Sequence, residues 1–448
     1  MSEKVLVEHK RVFKFRIYPT KEQESFLTQN CDASTIAYNS ALGYLKDYHE
    51  PLTKQWKEHC EKEGVEMKYH EYLKMVDKPK LTAYDAKKWF NNDFKKKEGN
   101  EWFNEIITAG TANSILDLDK AFKNFFRGAG YPKFKQVRRF PKAFRVERNI
   151  KTDTGAKLHI KDRRLELPKF KKIFKNYLIK TKVSKLDTRV GDKYYSLEDG
   201  VTKSFTVSAT STGKWFVAIN VTYLLPEVKP KSFNKDNSIG IDAGLEDLLV
   251  LDDGTKIKNA KHLKKQEKRL RINSKRLSRK KLGSKNWKKQ VKINARIHEK
   301  IANRRSDFAH KATHELAYND SYNAFMMEDL DLKEMGAKKG YRGKSVADAG
   351  LGEIRRQIEY KAGWAGKTVI KVDRYFPSSK TCNCCGYVVD KMPVKKRHWI
   401  CPKCGTRLDR DINAAINVKN KGLEEAKAKA KVKAKPSSKK KRKTLKKT

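Results

Sequence analysis

The chain has 448 residues, 38% of them hydrophobic, with 103 Lys and Arg against 53 Asp and Glu and a formal net charge of +50. That length accommodates two or three domains with their own cores, and the hydrophobic content excludes a wholly disordered chain. The charge points to a polyanion, nucleic acid ahead of a membrane surface. No apolar run approaches the ~20 residues a spanning helix needs, and no secretory h-region follows Met1. The expectation is a soluble, intracellular protein with no membrane partner.

In chain order, "VFKFRIY" (Val12 to Tyr18) alternates as a strand, Pro19 breaks it, and Thr20 caps a helix. Residues 21–126 read as helical and aromatic-rich. From 127 to 228 the texture turns to short alternating strands, among them "RRLELP", "SFTVSAT" and "KWFVAINVTY", which suggests a small β-barrel that the first strand joins.

A linker, "EVKPKSFNKDN", precedes "SIGIDAGLEDLLVLDDGTKIKN", three strands with Asp253-Gly254 at the second turn. Residues 260–318 read as two long helices broken near Gly283, with Leu263, Leu270 and Leu277 as a packing seam. Between 260 and 305 there are 19 basic and two acidic residues, which favours a hairpin facing nucleic acid over a mixed, solvated surface. Then come a buried strand ("NAFMMEDL"), a helix ("GEIRRQIEYKAGWAG"), a strand ("KTVIKVDRY") and a last helix ("RDINAAINVKNKG") ending at Gly422. The order βββ, α, β, α, β, α is that of an RNase H-like fold.

Three acids fall at special places in that order. Asp242 replaces an apolar residue in the first strand, Glu328 ends the strand after "AFMM", and Asp411 opens the last helix, where the dipole favours a carboxylate. In an RNase H-like sheet the first and fourth strands are neighbours and the last helix covers their ends, so these carboxylates would converge on two Mg²⁺ ions. Singly, each has a structural alternative as turn residue, strand end or N-cap. Asp409, Glu246, Asp247 and Asp329 compete nearby and suit turn or surface roles.

Five of seven cysteines lie between 382 and 404. Cys382 and Cys385, then Cys401 and Cys404, form two CxxC pairs 15 residues apart, the pattern of a closed, structural Cys₄ zinc ribbon. Cys384 is a spare and His398 a competing ligand; free buried cysteines are the alternative. Basic and aromatic residues interleave in "GYPKFKQVRRFPKAFRVERN" and "VDRYFPSSKT", which makes Lys133, Lys135, Arg138, Arg139, Arg374 and Lys380 candidates for nucleic-acid contact. Ordinary packing accounts equally well for Tyr131, Phe134 and Phe140. The tail from 423 to 448 carries 12 basic and two acidic residues, so +40 of the +50 belongs to the remainder. It reads as an unfolded electrostatic arm.

The blocks "GIDAGLEDLLVLDDG", "MMEDLDLKEM", "DAGLGEIRRQIEYKAGWAGK", "VDRYFPSSKTCNCCG" and "CPKCGTRLDRDINAAINV" resemble, in order, the signature blocks of the TnpB family, insertion-sequence proteins related to miniature type V CRISPR effectors. "FKFRIYPTKEQE" and "GYPKFK" are similar to that family too, and the resemblance runs from residue 11 to about 421. Ala243 stands where many relatives carry a larger apolar residue, a mild change that should leave metal binding intact.

The resemblance implies a multidomain α+β protein: a wedge-like β-barrel (1–20 and 127–228) with a helical recognition insert (21–126). An RNase H-like (RuvC) nuclease domain (237–374 and 409–421) follows, with a zinc ribbon (375–408) inserted and a disordered basic tail (422–448) after it. It implies an RNA-guided endonuclease that cuts double-stranded target DNA beside a short flanking motif, with a guide noncoding RNA as partner. Asp242, Glu328 and Asp411 match the family's catalytic triad, and Cys382, Cys385, Cys401 and Cys404 its zinc ligands. The cofactors expected are two Mg²⁺ and one structural Zn²⁺, in a monomer of the prokaryotic cytoplasm or nucleoid, or of the nucleus in a eukaryote. The alternatives are a guided binder that does not cut and an unguided, transposase-like nuclease.

Overall fold

The computed structural model describes residues 6–137, 141–149, 152, 154–183, 188–191, 193–337, 341–393 and 396–434. It divides into two compact units, Met1–Thr188 with Tyr195–Pro226, and Arg189–Tyr194 with Glu227–Thr448.

The first unit opens with β1 (Leu6–Tyr18), longer than the predicted Val12–Tyr18 and burying Phe13, Phe15 and Ile17 on one face. Helix α1 (Lys21–Glu63) is started by a capping box between Thr20 and Gln23 and ends at Gly64, in the left-handed region. With α2 (Tyr69–Met75), α3 (Ala83–Asn92) and α4 (Thr108–Phe125) it forms the helical part. Ala33, Ala37 and Ala41 recur every four residues on α1, and small side chains there let the neighbours approach around Phe90, Phe103 and Leu118.

The chain continues as β2 (Lys142–Asn149), β3 (Thr154–Gly155), β4 (Lys157–His159), β5 (Arg164–Glu166), the short α5 (Phe170–Ile173) and β6 (Ile179–Thr181). A two-stranded ribbon, β7 (Thr188–Val190) and β8 (Lys193–Tyr195), whose residues Arg189–Tyr194 count with the second unit, precedes β9 (Val201–Ala209) and β10 (Trp215–Pro226) in the chain. Eight strands pair in the order β3-β2-β9-β10-β1-β6-β5-β4. The edge strands β3 and β4 are separated by one residue, the buried Ala156, so the sheet curls into a barrel-like form whose edges meet without pairing.

The second unit holds β11 (Ser238–Ala243), β12 (Asp247–Leu251), β13 (Lys256–Lys258), α6 (His262–Ser278), α7 (Lys285–Ala317) and β14 (Ala324–Glu328). After them come α8 (Leu332–Ala337), α9 (Tyr341–Ala349), α10 (Leu351–Trp364), β15 (Thr368–Val372), a ribbon of β16 (His398–Ile400) and β17 (Arg407–Asp409), and α11 (Arg410–Ala434). Its sheet has the order β13-β12-β11-β14-β15, with β11, β14 and β15 parallel and β12 and β13 antiparallel. The first and fourth strands are therefore neighbours, as an RNase H-like sheet requires.

Two features differ from the sequence reading. The short α8 and α9 stand between β14 and α10, where no helix was expected. Helix α11 does not stop at Gly422 but runs on to Ala434, so the first part of the expected disordered tail is helical. Gly422 serves close approach instead of capping, since a Cβ there would lie 2.3 Å from Met326 Cγ. The remainder of the tail lies outside the described residues.

Candidate functional site

The site lies where β11, β14 and the start of α11 meet. Ile239 and Ile241 of β11 point into the core with Phe325 and Met327, so Gly240 and Asp242 face the other way, towards α11. Gly240 is obligatory: a Cβ would stand 2.1 Å from the Ala415 carbonyl oxygen and 2.7 Å from Lys419 Cβ, so any side chain would push α11 off the sheet. The parallel register pairs Ile241 with Met327, which sets Asp242 level with Glu328.

Asp409 accepts from the backbone N–H of Asp411 and Ile412 (3.0 and 3.2 Å) and thus caps α11, leaving Asp411 in its first turn. The other Asp409 oxygen takes Lys256 Nζ at 2.6 Å. Glu246 pairs with Lys261, and Asp329 with Arg355 and Arg374.

The three acids share one electrostatic environment. Burial, and then the negative charges of Glu328 and Asp411, push the Asp242 carboxyl up to about 7, with Arg410 and Arg397 opposing. Burial also raises Glu328, which a hydrogen bond from the Ser378 hydroxyl partly offsets. Hard, desolvated oxygens of one sign are the donor set a divalent cation needs. Asp411 is engaged by Arg397, whose Nη1 donates to Oδ1 at 2.9 Å and Oδ2 at 2.6 Å.

Beside these acids stands the ribbon. The Sγ atoms of Cys382, Cys385, Cys401 and Cys404 all lie within 4.8 Å of one another, with 3.7 Å between Cys382 and Cys404 and 3.6 Å between Cys385 and Cys401. Four sulfurs at ~2.3 Å from one ion would stand ~3.8 Å apart, so the cluster fits a tetrahedral metal. Among the described residues no other set of His, Cys, Asp or Glu closes to that spacing, so the carboxylates stand further apart than the thiols. Cys384 is exposed, its thiol on Asn383 Oδ1, and His398 is exposed on β16. Trp399 and Leu408 pack over the cysteines.

Two asparagines tie ribbon to helix. Asn413 and Asn417, one turn apart on α11, both donate to the Thr381 carbonyl (2.8 and 2.6 Å), and Asn383 N–H donates back to Asn413 at 2.9 Å. The chain leaves the cysteines at 404 and reaches Asp411 within seven residues because β17 runs directly into α11.

Of the candidate nucleic-acid contacts, Lys133 and Lys135 belong to the first unit and Arg374 and Lys380 to the second. Lys135 stacks over Tyr38 (3.7 Å to the ring centre), Lys380 donates to the Asp390 carbonyl, Arg374 is held by Asp329 and Asp331, and Lys133 is exposed. Tyr131 packs edge-on against Phe122 and Phe125. Arg138, Arg139 and Phe140 lie outside the described residues. The basic hairpin of residues 260–305 carries a groove of about 660 Å³ along α6, lined by Lys265, Lys268, Arg269 and Arg276 over Ile272 and Ile293. Ser378, Arg397 and Lys256 had no sequence signal, because each meets its acid only through the fold.

Sheet order and the four-cysteine cluster define an RNase H-like domain with a ribbon that could hold a metal. Models of known families match in succession: a "Helix-turn-helix domain" over residues 9–54, where the structure has β1 and part of α1; the "Probable transposase" family of IS605 OrfB over 204–338; and the "Cas12f1-like, TNB domain" over 352–418. A Streptomyces pristinaespiralis protein called "Putative RNA-guided DNA endonuclease" is 31% identical over 92% of this chain and 90% of its own. One of the same description from Escherichia coli strain K12 is 28% identical over 92% of both. A solved Cas12f1–sgRNA–target DNA complex aligns over 93% of this chain and 99% of that chain, at 16% identity and a TM-score of 0.48. The chain belongs to the TnpB family of insertion-sequence proteins.

Proposed function

We propose that the protein is an RNA-guided endonuclease that cuts double-stranded DNA beside a short flanking motif by metal-assisted phosphodiester hydrolysis. The observation that carries this reading is the meeting of Asp242, Glu328 and Asp411 from three separated segments at one end of the sheet. The descriptions of the relatives support the RNA guide and the DNA substrate.

Asp242, Glu328 and Asp411 would hold two Mg²⁺, which when bound activate water and stabilise the leaving oxygen. The protein's own part is positional. Gly240 lets α11 seat closely, Asp409 fixes the first turn that carries Asp411, and Ser378 orients Glu328. Cys382, Cys385, Cys401 and Cys404 would hold one structural Zn²⁺ that keeps the ribbon folded beside these acids. The α6–α7 groove has cationic walls, an aliphatic floor and no aromatic lining, which suits a sugar–phosphate backbone held without base readout.

The test is to purify the protein from cells carrying its native locus and sequence the RNA that survives nuclease treatment. That RNA's variable end then directs cleavage of a matched duplex. A discrete RNA and cleavage lost in Asp411→Ala with binding retained are expected. Heterogeneous RNA, or binding lost together with cleavage, overturns the reading.

A further inference from the structure

Arg397 belongs to the ribbon by sequence and to the nuclease centre by contact. It precedes β16, and its carbonyl accepts from the Arg410 backbone N–H at 2.7 Å, so the hairpin sets it directly across from the start of α11. Its side chain reaches over the hairpin end, and a single nitrogen, Nη1, bonds both Asp411 oxygens. That is the place that a cation chelated by the same carboxylate would take. The Asp411 side chain is 14% exposed, so few approaches to it remain, whereas the Arg397 side chain is 42% exposed and can swing outward.

The neighbouring cation works differently. Lys256 bonds Asp409, whose other oxygen caps the helix, so Lys256 supports the scaffold and acts on Asp411 through its charge alone. Arg397 by contrast contends for the acid itself. A guanidinium also binds phosphate by charge-assisted, often bidentate hydrogen bonds, and it does so at a lower hydration cost than an ammonium.

We infer that Arg397 is a gate on divalent-cation entry: its guanidinium and an incoming cation contend for the same two oxygens of Asp411, and a nucleic-acid phosphate that draws the guanidinium away opens the site. The inference rests on the reading of Asp411 as a metal ligand. The consequence is reciprocal coupling. Phosphate and cation both favour the arrangement with Arg397 turned out, so each tightens the binding of the other. A nuclease built this way holds its cations weakly until a strand lies against the ribbon, which limits cutting at unengaged DNA.

The experiment measures Mn²⁺ binding to the full-length, nucleic-acid-free protein by electron paramagnetic resonance, with and without a short single-stranded DNA. It compares wild type, Arg397→Ala, Arg397→Gln and Asp411→Asn, with Trp399 fluorescence as the check on the ribbon's fold. Both Arg397 variants are expected to bind Mn²⁺ ~10-fold more tightly than wild type without DNA, the scale of one charge-assisted hydrogen bond. DNA should tighten binding to wild type by a similar factor and to the variants little. If both folded Arg397 variants bind no more tightly than wild type while Asp411→Asn loses an ion, the gate is overturned and the metal site stands. If Asp411→Asn binds as wild type does, the metal-site reading fails and the gate with it.

Discussion

Lys419 on α11 and Asp252, the residue after β12, form an ion pair of 2.8 Å with side chains only 14% and 11% exposed, and the second Asp252 oxygen accepts the Gly240 N–H at 2.7 Å. Lys419 lies two helical turns beyond Asp411, so this pair locks the helix that carries one acid to the strand that carries another. Lys419→Met should cost about 3 kcal/mol, because it strands a desolvated carboxylate. Urea unfolding followed through the second unit reads this directly; a loss under 1 kcal/mol would mean that the pair contributes little to seating α11.

Gly240→Ala should be worse tolerated than its size suggests, since the added Cβ meets a backbone carbonyl and not a flexible side-chain end. The expected outcome is a protein that retains the first unit's melting transition and loses nuclease activity. Full activity in a normally folded variant would show that α11 can shift without harm.

The Asp242 carboxyl gives the metal-free protein a pH dependence of defined sign. Its pKa is raised in the fold from 3.8 to about 7, so the fold binds a proton that the unfolded chain releases. The associated stability is complete below about pH 4 and is lost as pH rises through about 7. In Mg²⁺-free buffer with zinc retained, the second unit's melting temperature should fall between pH 5 and 8. Mg²⁺ or Asp242→Asn should flatten the slope. An unchanged slope in Asp242→Asn would assign it to other groups.

Zinc removal should unfold the ribbon alone. Trp399 is buried against Cys382, Cys401 and Leu408, so its emission should shift red when a chelator strips the site, and Cys401→Ser should reproduce the shift. Protease cleavage between 378 and 408 should appear in parallel. Resistance to protease after complete zinc loss would contradict the ribbon's dependence on metal.

Replacing Lys265, Arg269 and Arg276 by Ala should weaken nucleic-acid binding equally across sequences. The salt slope on duplex DNA should become shallower by ~0.9 for every phosphate that is no longer neutralised. A sequence-dependent loss of affinity would show that the groove reads bases.

Much of this architecture is legible in the residues. Alternation in β1, β10 and β11, the Thr20 cap, the Asp253-Gly254 turn and the paired CxxC spacing are local signals, each produced by neighbours in sequence. Helix α11 shows where such signals end. Gly422 reads as a stop by propensity, yet Met326 packs against it and the helix continues to Ala434. Arg374, a candidate for nucleic-acid contact by sequence, is paired with Asp329 and Asp331 once β14 and β15 lie side by side.

The sequence by itself determined most of the element types, though not α8 and α9, together with the acids at strand and helix ends and the four thiols, because periodicity, capping and ligand spacing act over a few residues. Only the tertiary structure decided that Arg397 meets Asp411, that Ser378 meets Glu328, that Lys256 meets Asp409 and that Asp252 holds Lys419. These partners lie between 14 and 167 residues apart, and which of many cations reaches which carboxylate depends on how closely α11 seats on β11 over Gly240.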